Sequence, residues 1–393
     1  MIFFLITSMV KMLLVFSVIM VGVALITLLE RRMCAFMQDR LGPNRVGPFG
    51  LLQPAADGLK NILKEETYPK TADFWTFILA PAVSFVPALL TFAVIPFAAP
   101  LATKWGTVPM VVADLPVGFL YILAISSLGV YGIVLAGWSS NNKYALLGGL
   151  RASAQMISYE IALGMSTVAV LLVAGNVTLS DVVAKQQGSL LQWNIFPLAL
   201  AFFIFTVSAF AETNRVPFDL PEAEGELVAG YHAEYSAMKF SMFYIAEYSN
   251  MVTASALMAT LFFGGWDIPF THWDETPSAS LVTGILITAL TGLVFFLKVF
   301  FFIVLYIWVR WTLPRFRYDQ LMALGWKILL PLALGYLAVI ATTLWYLHTQ
   351  LGWSYDARFA LVMFGVNVVI ALPLFWIFDR GRLVSGSVTR RRA

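Results

Sequence analysis

Charge is scarce in this chain. Of its 393 residues only 12% are Asp, Glu, Lys or Arg, while 60% are hydrophobic; an ordinary soluble domain carries roughly a quarter charged residues. Lipid, not water, is therefore the expected main solvent. Cysteine is nearly missing: Cys34 stands alone, which excludes an internal disulfide framework and a four-thiolate zinc or iron–sulfur site. His232, His272 and His348 lie far apart and form no metal-ligand spacing. Also absent are a G-x-G-x-x-G after a strand, a P-loop and a nucleophile elbow. The chain is accordingly expected to bind no nucleotide and to carry no flavin, iron–sulfur cluster or metal. Any electrons it handles come from another subunit.

Long apolar runs are what the sequence has in quantity. They fall at 3–29, 77–99, 117–138, 156–174, 193–211, 240–263, 281–309, 327–347 and 359–378, each close to the roughly 20 residues that a helix rising about 1.5 Å per residue needs to span hydrocarbon. The expected fold is an all-α, polytopic membrane helix bundle of about nine transmembrane helices, making one membrane domain over 1–393. The first run lacks a signal-peptide cleavage site and reads as a retained helix. Twenty of the 25 Lys and Arg sit in one set of loops, at 30–76, 139–155, 212–239, 310–327 and after 378. By the positive-inside rule that set is cytoplasmic, with the N-terminus outside and the C-terminus inside. The runs 176–192 and 266–280 read as short external loops.

Between the first two spans, Leu52, Ala55, Ala56, Leu59, Ile62 and Leu63 recur at three-to-four spacing with Gln53, Asp57, Lys60, Asn61 and Lys64 opposite. That pattern predicts an interfacial amphipathic helix over about 49–64, lying along the cytoplasmic surface or on a partner protein. The Gly/Pro-rich stretch from Arg40 to Gly50 breaks the chain out of the first span.

The remaining charges cluster. The loop 212–239 and the start of the following span hold Glu212, Asp219, Glu222, Glu224, Glu226, Glu234 and Glu247, opposed only by Arg215 and Lys239. Like charges and desolvation raise carboxyl pKa values, so a partly buried group of this kind can exchange protons near neutral pH. The alternative is a solvated acidic loop, but the segment is rich in Phe, Tyr, Met and Pro, and Glu212 and Glu247 border apolar runs. Glu160, a few residues into the fourth span, is a second candidate for a proton pathway, unless its side chain reaches the interface. Lys11 and Lys298 also lie within spans, where long side chains reach water more easily. Basic residues, among them Arg31, Arg32, Arg40, Arg45, Arg151, Arg310, Arg315 and Arg317, gather on the same side as the acids. An apolar bundle ending in such a polar network suits a long apolar molecule with a polar head.

Four strings carry a resemblance: ERRMCAFMQDRLGPNRVGPFGLLQPAADGLKNILKEE, SNNKYALLGGLRASAQMISYE, AETNRVPFDLPEAEGELVAGYHAEYSAMKFSMFYIAEYSNM and RWTLPRFRYDQLMALGWK. Together they resemble the quinone-site membrane subunit of respiratory complex I, the proton-pumping NADH:quinone oxidoreductase, over a core reaching about residue 347. The helix expected at 359–378 is an addition to that core. The resemblance implies a bacterial inner-membrane subunit with quinone, ubiquinone or menaquinone, as substrate. Its implied partners are peripheral iron–sulfur and quinone-site subunits, small membrane subunits and antiporter-like pumping subunits, with no nucleic acid. By resemblance, Arg31, Arg40, Asp57, Glu212, Arg215, Glu222, Glu224 and Glu226 belong to the quinone cavity. Glu160, Glu247 and Tyr248 fall on the proton pathway, and Arg310, Arg315 and Asp319 in a structural charge network. The other readings are the equivalent component of a membrane-bound hydrogenase and a stand-alone proton-coupled transporter.

Overall fold

In hydrocarbon every backbone N–H and C=O needs a partner within the chain, so an isolated span has to be helical. A computed structural model describes residues 2–103, 106–219, 228–271, 281–353, 355 and 357–379. Its helices are α1 (Ile2–Met37), α2 (Gln53–Leu63), α3 (Phe74–Leu90), α4 (Gly118–Ser139), α5 (Lys143–Ala174), α6 (Leu179–Gln186), α7 (Ala199–Glu212), α8 (Ala237–Phe262), α9 (Leu281–Thr312), α10 (Tyr318–Gln350) and α11 (Ala357–Asp379). Among the described residues seven of them, α1, α3, α4, α5, α9, α10 and α11, are long and apolar enough to cross a membrane. The chain is an all-α, multi-pass membrane protein.

Seven differs from the nine spans expected, and the two remaining segments show why. The run at 193–211 is helical only over the 14 residues of α7, about 21 Å at the helical rise. Pro197 precedes it, and its carbonyl is held by the buried Asn367 of α11 (Nδ2 to O, 2.7 Å), whose Oδ1 in turn accepts from the Leu200 N–H at 3.2 Å and from Tyr336 Oη at 2.9 Å. Thus α11 caps the start of α7, a shorter apolar helix. The run at 240–263 is the 26-residue α8, long enough but interrupted by Glu247, Asn250 and several Ser and Thr.

Two other segments are built differently from the expectation. The run at 77–99 is helical to Leu90, makes one 3₁₀ turn and enters a hairpin of β1 (Ala98–Thr103) and β2 (Gly106–Met110), antiparallel with Leu101 opposite Val108. Pro96 explains the break, since a residue before proline avoids the helical region and Ile95 is extended. The loop expected at 176–192 contains α6, because Leu179, Val182, Val183 and Gln186 are spaced to bury one face.

α3 packs on α4 and α8, α4 on α5, and α5 on α7 and α10, while α9 lies against α8 and β1. Small residues allow the close approaches, as membrane bundles require. A Cβ on Gly148 of α5 would stand 2.7 Å from the Gly230 backbone. In the turn after α1, Gly50 has a φ of +72°, and a Cβ there would meet the Pro43 carbonyl. Near the end of the bundle that carries the basic loops, Tyr235 stacks on Phe77 with centroids 4.0 Å apart and donates to the Phe77 carbonyl at 3.1 Å. Burial pushes its phenol up to about 12, so that donor is intact at neutral pH.

Gly148→Val forces two methyls and a branch against the 230–231 backbone. The expected cost is about 1–3 kcal/mol, read as a lower thermal transition of the detergent-solubilised protein. An unchanged transition would mean that this contact is loose.

Candidate functional site

Four helix ends meet at the basic end of the bundle, and charges meet there with them. Glu30 of α1 and Arg215, just beyond α7, are 5% and 4% exposed. Burying an ion costs several kcal/mol unless partners replace its water. Glu30 Oε2 accepts from Tyr248 Oη at 2.7 Å and from Arg215 Nη1 at 3.2 Å, and its Oε1 accepts from Arg310 at the end of α9. Arg215 Nε lies 2.5 Å from Glu247 Oε1, and its guanidinium carbon 4.3 Å from the centroid of the Tyr248 ring. Two carboxylates therefore face two guanidiniums, and the group is formally neutral. Burial works against the Arg215 charge, but Glu247, Tyr248 and Glu30 outweigh it and hold its pKa well above the ordinary value.

The local chain path aims Arg215 inward. After α7 ends at Glu212, Asn214 takes a φ of +51°, a left-handed conformation that Asn adopts more readily than most residues. The fully buried Gln155 of α5 fixes this turn, its Nε2 donating to the Ala211 carbonyl at 2.8 Å, Asn214 Oδ1 at 3.1 Å and the Phe218 carbonyl at 2.8 Å. The loop after α9 then packs onto the turn: Phe316 N–H donates to the Pro217 carbonyl at 3.1 Å, the Phe218 and Phe316 rings stack at 5.5 Å, and Arg315 reaches Asp219 at 2.8 Å.

The structure thus joins Arg215, Glu247, Tyr248 and Arg310 in one cluster and Arg315 to a neighbouring pair. Arg31 pairs with Asp57 at 2.5 Å and ties α1 to α2, on a more exposed surface. Arg40 donates to Gln38 and faces the Cys34 sulfur. Asp319 stands apart, 86% exposed and 3.9 Å from Arg317. Glu222, Glu224 and Glu226 lie outside the described residues. Glu212 and Glu160 are within electrostatic reach of each other. The helix carrying Glu160 is clamped to α10 at a π-helical turn, Leu324–Leu329, through Trp326 Nε1 to Ser158 Oγ (2.9 Å) and Tyr159 Oη to the Leu321 carbonyl (2.9 Å).

Two residues central to the site carried no assigned role in the sequence. Glu30 sits among arginines in the string Glu30-Arg31-Arg32, which reads as part of a basic patch; its signal was a carboxylate closing an apolar run. Gln155 had no signal, because an amide in a helix is ordinary until the turn it holds is known. At the opposite end of the bundle, Lys298 donates to the carbonyls of Phe263, Gly265 and Asp267 at 2.8, 3.0 and 2.7 Å and lies 4.3 Å from the centroid of the Trp193 ring. Lys11 similarly donates to Pro109 and Val111. Both lysines fasten loops to helices. No group of three or more His, Cys, Asp or Glu among the described residues is placed to hold a metal.

Residues 10–341 match the family described as NADH dehydrogenase. The chain is 50% identical over 355 residues to the NADH-quinone oxidoreductase H subunit of Leptospira biflexa, covering 88% of this chain and 96% of that protein. It is 51% identical over 354 residues to the second H subunit of Koribacter versatilis, covering 86% and 97%. With the first H subunit of Geobacter metallireducens it shares 51% over 325 residues, covering 82% and 92%. The chain belongs to the H-subunit family of NADH-quinone oxidoreductase. It is a membrane subunit of respiratory complex I, an enzyme assembled from several chains, and the buried charge cluster is a feature of this subunit's own fold.

Arg215→Met leaves Glu30 and Glu247 with a single guanidinium between them. The expected loss is about 3–5 kcal/mol, seen as less assembled complex I and a lower thermal transition. The double variant Arg215→Met, Glu247→Gln removes the surplus charge and recovers part of it. Equal behaviour of the single and double variants would show that charge balance is not what the cluster supplies.

Proposed function

We propose that this H subunit forms the membrane side of the quinone cavity of complex I and converts quinone reduction into proton movement through its buried carboxylates. It does so in a bacterial inner membrane, with the basic end cytoplasmic, the N-terminus outside and the C-terminus inside. The observation that carries the reading is the neutral Glu30–Arg215–Glu247–Arg310 cluster with Glu212 beside it, a carboxyl that has no hydrogen bond or counter-charge among the described residues.

The entrance suits the substrate class. Around the Arg31–Asp57 pair, Phe36, Leu41, Phe49, Leu59, Ile62 and Leu63 are exposed, a mixture that fits an isoprenoid tail beside a polar head. Peripheral subunits would close the cavity over this surface and supply electrons from their iron–sulfur clusters, while the smaller and antiporter-like membrane subunits would receive the proton signal. Glu222, Glu224 and Glu226 belong to the cavity wall in this reading.

Reducing a quinone to a quinol consumes two electrons and two protons. Negative charge arriving near the helix ends favours protonation of the surrounding acids, by about 4 kcal/mol for a unit charge at 4 Å and an effective dielectric of 20. Arg215 is the residue that passes this on. It is shared between Glu30 and Glu247, so any pull on its guanidinium alters the charge balance at Glu247, and Glu247 lines the same cavity as Glu212. Glu212 then adjusts its proton against Glu160, its electrostatic neighbour on α5. A charge change at the membrane surface becomes a proton change inside the bundle, which is the local event of a switch.

In assembled complex I, Glu212→Gln and Glu224→Gln are each expected to lower inhibitor-sensitive NADH:quinone activity at least about tenfold, the scale of a lost proton-transfer group. NADH oxidation by an artificial acceptor at the flavin should be unchanged. Full quinone turnover in both variants would remove the acids from the coupling path.

A further inference from the structure

Glu212 stands between two cavities. The first is lined by Thr91, Ser126, Thr253, Phe119, Phe205 and Leu257 among others, the second by Ser84, Asn214, Tyr231, Phe243 and Glu247 among others. Glu212, Thr213 and Asn250 line both. Each has about 30 Å³ of room for water, and a single water needs about 10–15 Å³ on that measure together with two to four polar partners.

The partners are there, and two of them are idle. Neither Glu212 nor Asn250 makes a side-chain hydrogen bond with any described residue. Thr213 Oγ1 has spent its proton on the Ala209 and Phe210 carbonyls, at 3.0 and 3.2 Å, and can still accept. Thr91 donates to the Ala88 carbonyl at 3.0 Å and lies 3.4 Å from Thr253 Oγ1, and Ser126 donates to the Leu123 carbonyl at 3.1 Å. A carboxyl and an amide inside a bundle are costly without partners, and these threonine and serine oxygens are too committed to serve both. Water in the cavities would supply partners to all of them.

We infer that the two cavities are a pair of water sites divided by Asn250, and that Asn250 is a positioning residue that orients water on both sides of Glu212. Its amide offers two donors and an acceptor, so it can hold one water through its nitrogen and another through its oxygen, a water on each side of the Glu212 carboxyl. On α8, Glu247, Asn250 and Thr253 follow at intervals of three residues and share one face. The polar line therefore runs from the charge cluster, past Glu212, to the Thr91–Thr253 pair in the far half of the bundle. Phe119, Ile122 and Leu257 give the first cavity apolar walls. The inference rests on the coupling role proposed for Glu212.

The first test is a structure of intact complex I at a resolution that shows ordered water. Density in both cavities, within hydrogen-bond distance of Asn250, is expected; empty cavities overturn the inference. The second test compares Asn250→Leu, Asn250→Ser and Glu212→Gln in the assembled complex, with flavin-site activity as the control for assembly. Asn250→Leu, which fills the dividing wall with a group that binds no water, should cost about tenfold in quinone turnover and in protons moved per electron. Asn250→Ser, smaller and still able to bind water, should recover most of it. Loss in Glu212→Gln with full coupling in Asn250→Leu would refute the water-positioning role and leave the function of Glu212 standing. Full activity in both would reject the coupling role itself. If Asn250→Leu does not assemble, Asn250→Ser and the water density decide.

Discussion

The structure depends on one guanidinium. Arg215 leaves water completely, which carries a penalty of several kcal/mol, and it does so in a chain where charge is rationed. Its partners are drawn from α1 and α8, and Glu30 brings in α9 through Arg310. Four segments far apart in sequence are therefore held in register by a contact that fails if any of them shifts. Apolar packing cannot impose that register inside a membrane, because lipid tails are as apolar as leucine and a slid helix loses little. The charge cluster makes a displaced arrangement expensive, so it specifies the geometry of this end of the bundle.

The two ends of the bundle solve the same problem differently. At the basic end, buried charges answer one another, and any extra charge nearby is felt by all of them. At the other end, Lys298 is satisfied by three carbonyl oxygens and an indole face, and Lys11 by two carbonyls. These contacts tie the lysines to backbone oxygens of neighbouring loops, with Asp114 also within electrostatic reach of Lys11. Among the described residues, acids and guanidiniums share partners at the basic end.

Much of this was legible in the sequence, for identifiable reasons. The long apolar runs, the amphipathic spacing of α2 and the charged residues around Arg215 follow from local patterns, and the four quoted strings carry the family. The failures are equally specific. The start of α7 is held by Asn367, 170 residues on from Pro197, whose carbonyl it takes. The hairpin at Ala98–Thr103 hides in a run whose apolar character looks like a span, betrayed only by Pro96. Glu30 was hidden by its arginine neighbours, in a string that reads as basic, whereas its partners are Arg215 and Arg310. A buried ion pair is a long-range fact, and composition of the local string does not disclose it.

Glu212 completes the argument. A carboxyl at a helix end among acids would ordinarily find an arginine, and one lies three residues on. Arg215 is committed to Glu30 and Glu247 instead, because Asn214 turns the chain and Gln155 holds the turn. The fold thus withholds the nearest cation from the one acid placed between the cavities. For the coupling role proposed above, a fully paired Glu212 would be fixed in charge and deaf to a quinone, and a fully solvated one would exchange its proton with bulk water and couple nothing. Left unpaired beside water-sized rooms, with Glu160 as its neighbour, it has what that proposed role requires, a proton that can answer to charge elsewhere in the cluster.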